Sequence, residues 1–173
     1  VALTMTTANQ GVGLLRFTQI GNPQDSQLQY TTWNSGVWSP VAQLGANNVM
    51  DVEHLKPRDS NAKLYYLGSP GVARKLDETD GWRALLRTAR AQGMKTCLEL
   101  CPVPAEVLRL RVTPCLPLTD YFVVNDYEAS SITGMDIARN GRLDWSAAEH
   151  ACRKLLDLGV TGLAGVHHPD GAV

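Results

Sequence analysis

The stretch Asp120-Tyr121-Phe122-Val123-Val124-Asn125-Asp126-Tyr127-Glu128-Ala129-Ser130-Ser131-Ile132-Thr133-Gly134 decides how the chain reads. Tyr121 to Val124 is a short, fully apolar run, which marks a strand in an α/β core. Asn125 follows at once, and Glu128 stands three residues later, ahead of Ala129, Ser130, Ile132 and Thr133. That spacing predicts a helix whose N-cap is Asn125 and whose Glu128 reaches back, a pair worth about 1 kcal/mol. The strand therefore delivers an amide and a carboxylate to its carboxyl end. In open parallel sheets ligands bind at that edge, because loops and helix N-termini converge there. Two readings of the pair stand side by side: a helix cap, and a pair able to order the waters of a Mg²⁺ ion beside a nucleotide phosphate.

Working outward, strands alternate with helices. Ala62 to Leu67 is a strand, followed by the punctuation Gly68, Ser69, Pro70, Gly71. Trp82, Leu85, Leu86 and Ala89 then share one helical face, and Gly93 stands at the expected C-terminal cap. Lys95 to Leu100 reads as a strand and Pro102 to Leu110 as a helix. Ser146 with Glu149 predicts a capping box opening another helix, which Gly159 ends before a strand from Val160 to Val166. Asp170 to Val173 reads as a turn entering a further strand. The first fifty residues differ: Leu14 to Ile20 and Leu28 to Trp33 are β-prone but only partly apolar, and a polar loop separates them. Together these predict an α/β fold, a Rossmann-like three-layer αβα sandwich with a small β-sheet lid. Residues 1–50 form the lid and 51–173 a partial core, the whole being incomplete at both ends.

Composition narrows the function. Of 173 residues, 44% are hydrophobic and 19% charged, which is globular composition. Sixteen basic against seventeen acidic residues leave a net charge of -1, with no basic run to track nucleic-acid phosphates. No apolar stretch approaches the roughly 18 residues needed to span a bilayer. The four cysteines, Cys97, Cys101, Cys115 and Cys152, contain no CxxC pair and read as reduced thiols of a cytoplasmic protein. Cys97 and Cys101 have no histidine near them in sequence and are too few to make a zinc site. No G-x-G-x-x-G follows a strand, which counts against a dinucleotide-binding reductase.

Residues 120–134 resemble the Asn-x-x-Glu signature of the ribokinase-like, or PfkB-type, carbohydrate kinases. Leu44-Gly45-Ala46-Asn47 is similar to the Gly-Ala-Asn closing the lid sheet of that family, and Ala89 to Thr96 to its helix-to-strand step. Ala147 to Val160, with the turn Asp170-Gly171-Ala172, is similar to the helix and strand that follow. The resemblance implies an ATP- and Mg²⁺-dependent kinase that phosphorylates a hydroxymethyl group of a sugar or nucleoside. It places Asn125 and Glu128 at the hydration shell of the metal and the phosphates, as cofactor and metal contacts through water.

Two of the family's features are absent. Its Gly-Ala-Gly-Asp loop, which supplies the base and the oxyanion donors, has no counterpart: Gly162-Leu163-Ala164-Gly165 carries no Asp. The N-terminal Gly-Gly substrate element is missing as well. The expectation is thus an internal piece of a kinase, inactive as written, with its base beyond Val173. The alternative is a catalytically inactive sugar- or nucleotide-binding regulatory module on the same scaffold. Glu99, His167 and His168 lie at strand ends but are left outside the site. Thr6, Gln19, Gln29 and Thr31 are polar lid positions of unknown register. Trp33 and Trp38 offer either cover for a sugar or a homodimer contact through the lid.

Overall fold

A computed structural model describes residues 51–57 and 62–173 with their side chains, and in the first fifty the backbone of five strands. These are β1 (Leu3–Met5), β2 (Gln10–Thr18), β3 (Gln27–Asn34), β4 (Val37–Trp38) and β5 (Ala42–Ala46). β2 and β3 pair antiparallel from Gln10↔Asn34 to Thr18↔Gln27, as the two β-prone runs predict. Gln29 pairs with Arg16 and Thr31 with Leu14, while Trp33 stands opposite Trp38. Thr6, Gln19 and Asn47 lie outside the described residues.

The core strands are β6 (Leu64–Gly68), β7 (Lys95–Glu99), β8 (Tyr121–Asn125) and β11 (Leu163–His168). They lie side by side and parallel, in the order β11-β8-β7-β6. At one end β12 (Gly171–Ala172) folds back antiparallel on β11, the turn and new strand that Asp170 to Val173 predicted. At the other end β1 pairs antiparallel with β6, so the lid strands continue the same sheet.

Helices α1 (Val52–Leu55), α2 (Arg74–Asp77), α3 (Gly81–Ala91), α4 (Ala105–Arg111), α5 (Asp126–Thr133) and α6 (Trp145–Asp157) connect these strands, together with a 3-10 helix over Thr113–Leu118. Trp82, Leu85, Leu86 and Ala89 form the buried stripe of α3, and Gly93 takes the left-handed conformation just beyond its end. α4 begins three residues later than its sequence suggests, because Pro104, with its backbone at φ -54 and ψ 144, is the N-cap.

The start of α6 departs from the capping box expected at Ser146. The N-cap is Asp144, whose carboxylate accepts the Ala147 N–H at 3.0 Å. Ser146 already lies within the helix, and Glu149 pairs with Arg153 at 2.6 Å. The preceding segment explains the shift. β9 (Ala138–Arg139) and β10 (Arg142–Leu143) form a hairpin about Asn140-Gly141, both residues left-handed, and the hairpin delivers the chain to Asp144.

Moving from β6 to β7, β8 and β11 always steps to the next neighbour in one direction. Right-handed crossovers then put every connecting helix on the same face. α3, the 3-10 helix, α4, α5 and α6 do form one continuous layer. Tyr65, Leu67, Leu98, Phe122, Val124 and Val166 point into it and join the main core with Leu85, Leu108, Ile132 and Leu155. Side chains of the opposite alternation remain open: Tyr121 is 38%, Val123 48% and Leu163 50% exposed. The apolar run Tyr121 to Val124 thus has one face in the core and one bare.

Candidate functional site

The carboxyl ends of the four parallel strands share one rim. Gly68 is in register with Glu99, and His167 with Asn125. Short hydrogen bonds hold the rim loops. The Ser69 hydroxyl donates to the Glu99 carbonyl at 3.3 Å, and the Gly71 N–H donates to Oδ1 of Asp77 at 2.8 Å. The same oxygen accepts the Trp82 indole N–H at 2.7 Å, so Asp77 ties the loop after β6 to α3. Tyr127 at the start of α5 donates to the Val103 carbonyl at 3.3 Å, joining the loops after β7 and β8.

Asn125 and Glu128 occupy the middle of this rim. Asn125 is the N-cap of α5, its backbone extended at φ -80 and ψ 172. Its side-chain oxygen accepts the Glu128 N–H at 2.8 Å, and Oε2 of Glu128 accepts the Asn125 N–H at 3.0 Å. The cap reading is therefore literally present. Two acidic residues, Asp126 and Glu128, complement the positive end of the helix dipole. Gly134, left-handed at φ 71, closes the helix.

Electrostatics set this carboxylate apart. Glu128 is only 5% exposed, and burial pushes its carboxyl above the usual range; the Asn125 N–H and nearby His167 pull it down, and Glu99 pushes it further up. A buried acid resisting ionisation at a ligand edge is a group that an added cation would stabilise. The donor set is an amide oxygen and a carboxylate, both hard oxygens, and each oxygen used in the cap has a second lone pair. That chemistry fits Mg²⁺, which keeps most of its water and takes few protein ligands. Among the described residues no group of three or more His, Cys, Asp or Glu could hold a metal directly.

The neighbours play other parts. Tyr66 lies on the bare face; burial and the Glu99 carboxylate beside it push its hydroxyl well above the ordinary range. Cys97 is a free thiol pushed up to about 11 by burial and by Glu99, so it stays protonated at neutral pH. His168 accepts the Asp170 N–H at 3.1 Å, and Asp170 accepts the Leu143 N–H at 3.1 Å. The turn after β11 thereby anchors the β9–β10 hairpin, an element announced in the sequence only by Asn140-Gly141.

No known protein family and no curated protein matches this sequence. Solved structures do match the fold. The PfkB protein from Polaromonas sp. JS666 is 15% identical over 95% of this chain and 53% of its own, with a TM-score of 0.50. A Clostridium perfringens protein provisionally described as a sugar kinase is 18% identical over 76% of this chain and 37% of its own, with a TM-score of 0.45. The protein called Sa239 is 21% identical over 76% of this chain and 39% of its own, with a TM-score of 0.46. The α/β fold is shared with the PfkB protein, and the chain spans about half or less of the length of these structures. No helix among the described residues is long and apolar enough to cross a membrane.

Proposed function

We propose that this chain is the nucleotide-side part of an ATP-dependent phosphotransferase acting on a hydroxymethyl group of a sugar or nucleoside. The carrying observation is the reciprocal Asn125–Glu128 pair at the centre of the ligand rim, with a buried acid whose carboxyl burial pushes up. The fold shared with a PfkB protein supports the same reading. Asn125 and Glu128 would hold the hydration shell of Mg²⁺, and that ion supplies charge neutralisation to the phosphates. The chain's own task is positional. The capping box fixes both side chains, the β8 backbone fixes the cap, and the bonds of Ser69, Gly71 and Tyr127 keep the surrounding loops from drifting. The protein works in the cytoplasm on a small-molecule acceptor, and a homodimer through the lid is part of the same proposal.

The test is calorimetric titration of the chain with ATP in the presence and absence of Mg²⁺. Binding that requires the metal and weakens at least about tenfold in Glu128→Gln, with unchanged circular dichroism, is the expected result. Metal-independent binding, or none, returns the pair to a helix cap alone. Tight binding without transfer in a polypeptide that carries the C-terminal loop would favour the regulatory module.

A further inference from the structure

We infer that Trp145, the first residue of α6, is the stacking platform for the base of the nucleotide, and that the chain takes purine nucleoside triphosphates without separating ATP from GTP. The inference deepens the phosphotransferase reading and rests on it for the phosphate half of the ligand.

Trp145 is 50% exposed, whereas Trp82 in the buried stripe of α3 is 4% exposed. Its place is nevertheless fixed. Asp144 caps the helix just before it, the carboxylate accepting the Ala147 N–H at 3.0 Å. One residue earlier, the Leu143 N–H donates to Asp170, in the turn between β11 and β12, at 3.1 Å. The indole lies against Gly171 on β12, where a Cβ would stand 2.7 Å from Cη2 of Trp145. Glycine at that position is what lets the ring rest on the strand.

The contact is edge-on. Cζ2 and Cζ3, the ring carbons on either side of Cη2, stand 3.6 and 3.7 Å from the same point. A flat six-membered ring gives two such long and nearly equal distances when it approaches in its own plane; face-on, all three carbons would be much closer to equidistant. The strand therefore occupies an edge of the indole and neither of its π faces. A fixed, half-exposed indole whose faces are not spent on the strand is suited to offset stacking with a planar heterocycle.

Distance along the rim selects the ligand. Asn125 is in register with His167, and His168 with Gly171. Gly171 thus lies two strands from the Asn125–Glu128 pair, about 10 Å at the spacing of paired strands. An extended nucleoside triphosphate covers that span, with its terminal phosphates at the pair and its base at Trp145. A sugar acceptor has to meet the terminal phosphate, so its place is at the other end. Stacking reads the area of a ring system and not its hydrogen-bonding edge. Adenine and guanine are accordingly held alike, and the smaller pyrimidines less well.

Equilibrium titrations of the chain in Mg²⁺ decide it, with ATP, GTP, adenosine and inorganic tripolyphosphate as probes. Trp145→Ala should weaken ATP binding roughly ten- to a hundredfold, as loss of one base–aromatic stack does, and change tripolyphosphate binding by less than about twofold. Trp145→Phe should recover most of that loss, and GTP should bind within about fivefold of ATP. Adenosine should quench tryptophan fluorescence in the parent and not in Trp145→Phe. The inference is overturned if Trp145→Ala leaves ATP affinity unchanged, if it weakens tripolyphosphate as much as ATP, or if ATP is preferred over GTP by more than about fivefold. Its failure is separable from that of the phosphotransferase reading. Tripolyphosphate binding that needs Glu128, with no effect of Trp145→Ala on ATP, removes the platform alone. Adenosine quenching that depends on Trp145, with no Mg²⁺-dependent tripolyphosphate binding, removes the phosphotransferase reading alone. A chain that binds neither ATP nor adenosine overturns both.

Discussion

Asn125 and Glu128 cap one another: each accepts the other's backbone N–H, at 2.8 and 3.0 Å, across the first turn of α5. The pair therefore has a structural value that exists without any ligand, and a functional value that must be measured over it. Asn125→Ala removes an N-cap and should cost about 1 kcal/mol, a fall of roughly 2–4 °C in Tm. Asn125→Ser keeps a capping oxygen and should melt within about a degree of the parent. If Asn125→Ser nonetheless weakens Mg²⁺-dependent ATP binding, the amide does more than cap. Equal affinity in both proteins would confine it to the helix end.

Asp120 provides the pH-dependent prediction. It is 3% exposed at the opposite edge of the sheet, where it accepts from Lys95 Nζ at 2.8 Å, from the N–H and hydroxyl of Thr96 at 3.0 Å each, and from the Thr161 hydroxyl at 3.2 Å. Burial alone would raise its carboxyl; Lys95, Thr96 and Thr161 outweigh that and hold it down at about 2, against an ordinary 3.8. Because the folded value is depressed, the gain of roughly 2 kcal/mol is complete above pH about 4 and disappears as pH falls through about 2. Asp120→Asn should lose about 3 kcal/mol at neutral pH and flatten the acid limb of the stability curve. Urea melts between pH 2 and 7 measure both. An unchanged acid limb in the variant would refute the assignment.

Two glycines should respond unequally to alanine. Gly93 and Gly159 both follow helices at positive φ, 80 and 116, yet a Cβ at Gly93 meets nothing within 4 Å while one at Gly159 would stand 2.9 Å from Cα of Pro117. Gly93→Ala should cost only the left-handed backbone penalty, about 1 kcal/mol, and Gly159→Ala that amount plus a backbone displacement, roughly 2–3 kcal/mol. Equal losses in thermal melts would mean that the approach of Pro117 is not what requires glycine.

Asp77 is expected to control the rim from a distance. Its Oδ1 serves the Gly71 N–H and the Trp82 indole together, so Asp77→Ala leaves two donors without their acceptor and should cost roughly 1–3 kcal/mol. Hydrogen exchange of the Gly71 amide should accelerate most, ahead of the amides of β7 and β8. Uniform acceleration across the sheet would show global destabilisation rather than release of this loop.

Local chemistry was legible in the sequence. The strand and helix of residues 120–134, the α3 stripe and the glycine after it depend on neighbours within a few positions, where periodicity and capping are written directly. Reading was less secure where two local signals compete. Ser146 and Glu149 have capping-box spacing, but the hairpin ahead of them, turned at Asn140-Gly141, supplies Asp144 first. The core stripe of α3 emerges from its periodicity, whereas the two faces of β8 do not. In Tyr121-Phe122-Val123-Val124 every side chain is apolar, so no polar residue labels which alternation meets the helices.

The sequence by itself determined the succession of the four parallel strands with α3, α4, α5 and α6, the reciprocal cap on α5 and the carboxyl-end placement of Asn125 and Glu128, because each follows from residues adjacent in the chain. Only the tertiary structure decided that Asp120 would gather Lys95, Thr96 and Thr161. It alone also put Glu99 and His167 close enough to act on Glu128 and left Tyr121, Val123 and Leu163 uncovered. These relations join residues up to several dozen positions apart. They are set by which strand lies beside which and by the common hand of the crossovers, and neither is encoded in any single window of residues.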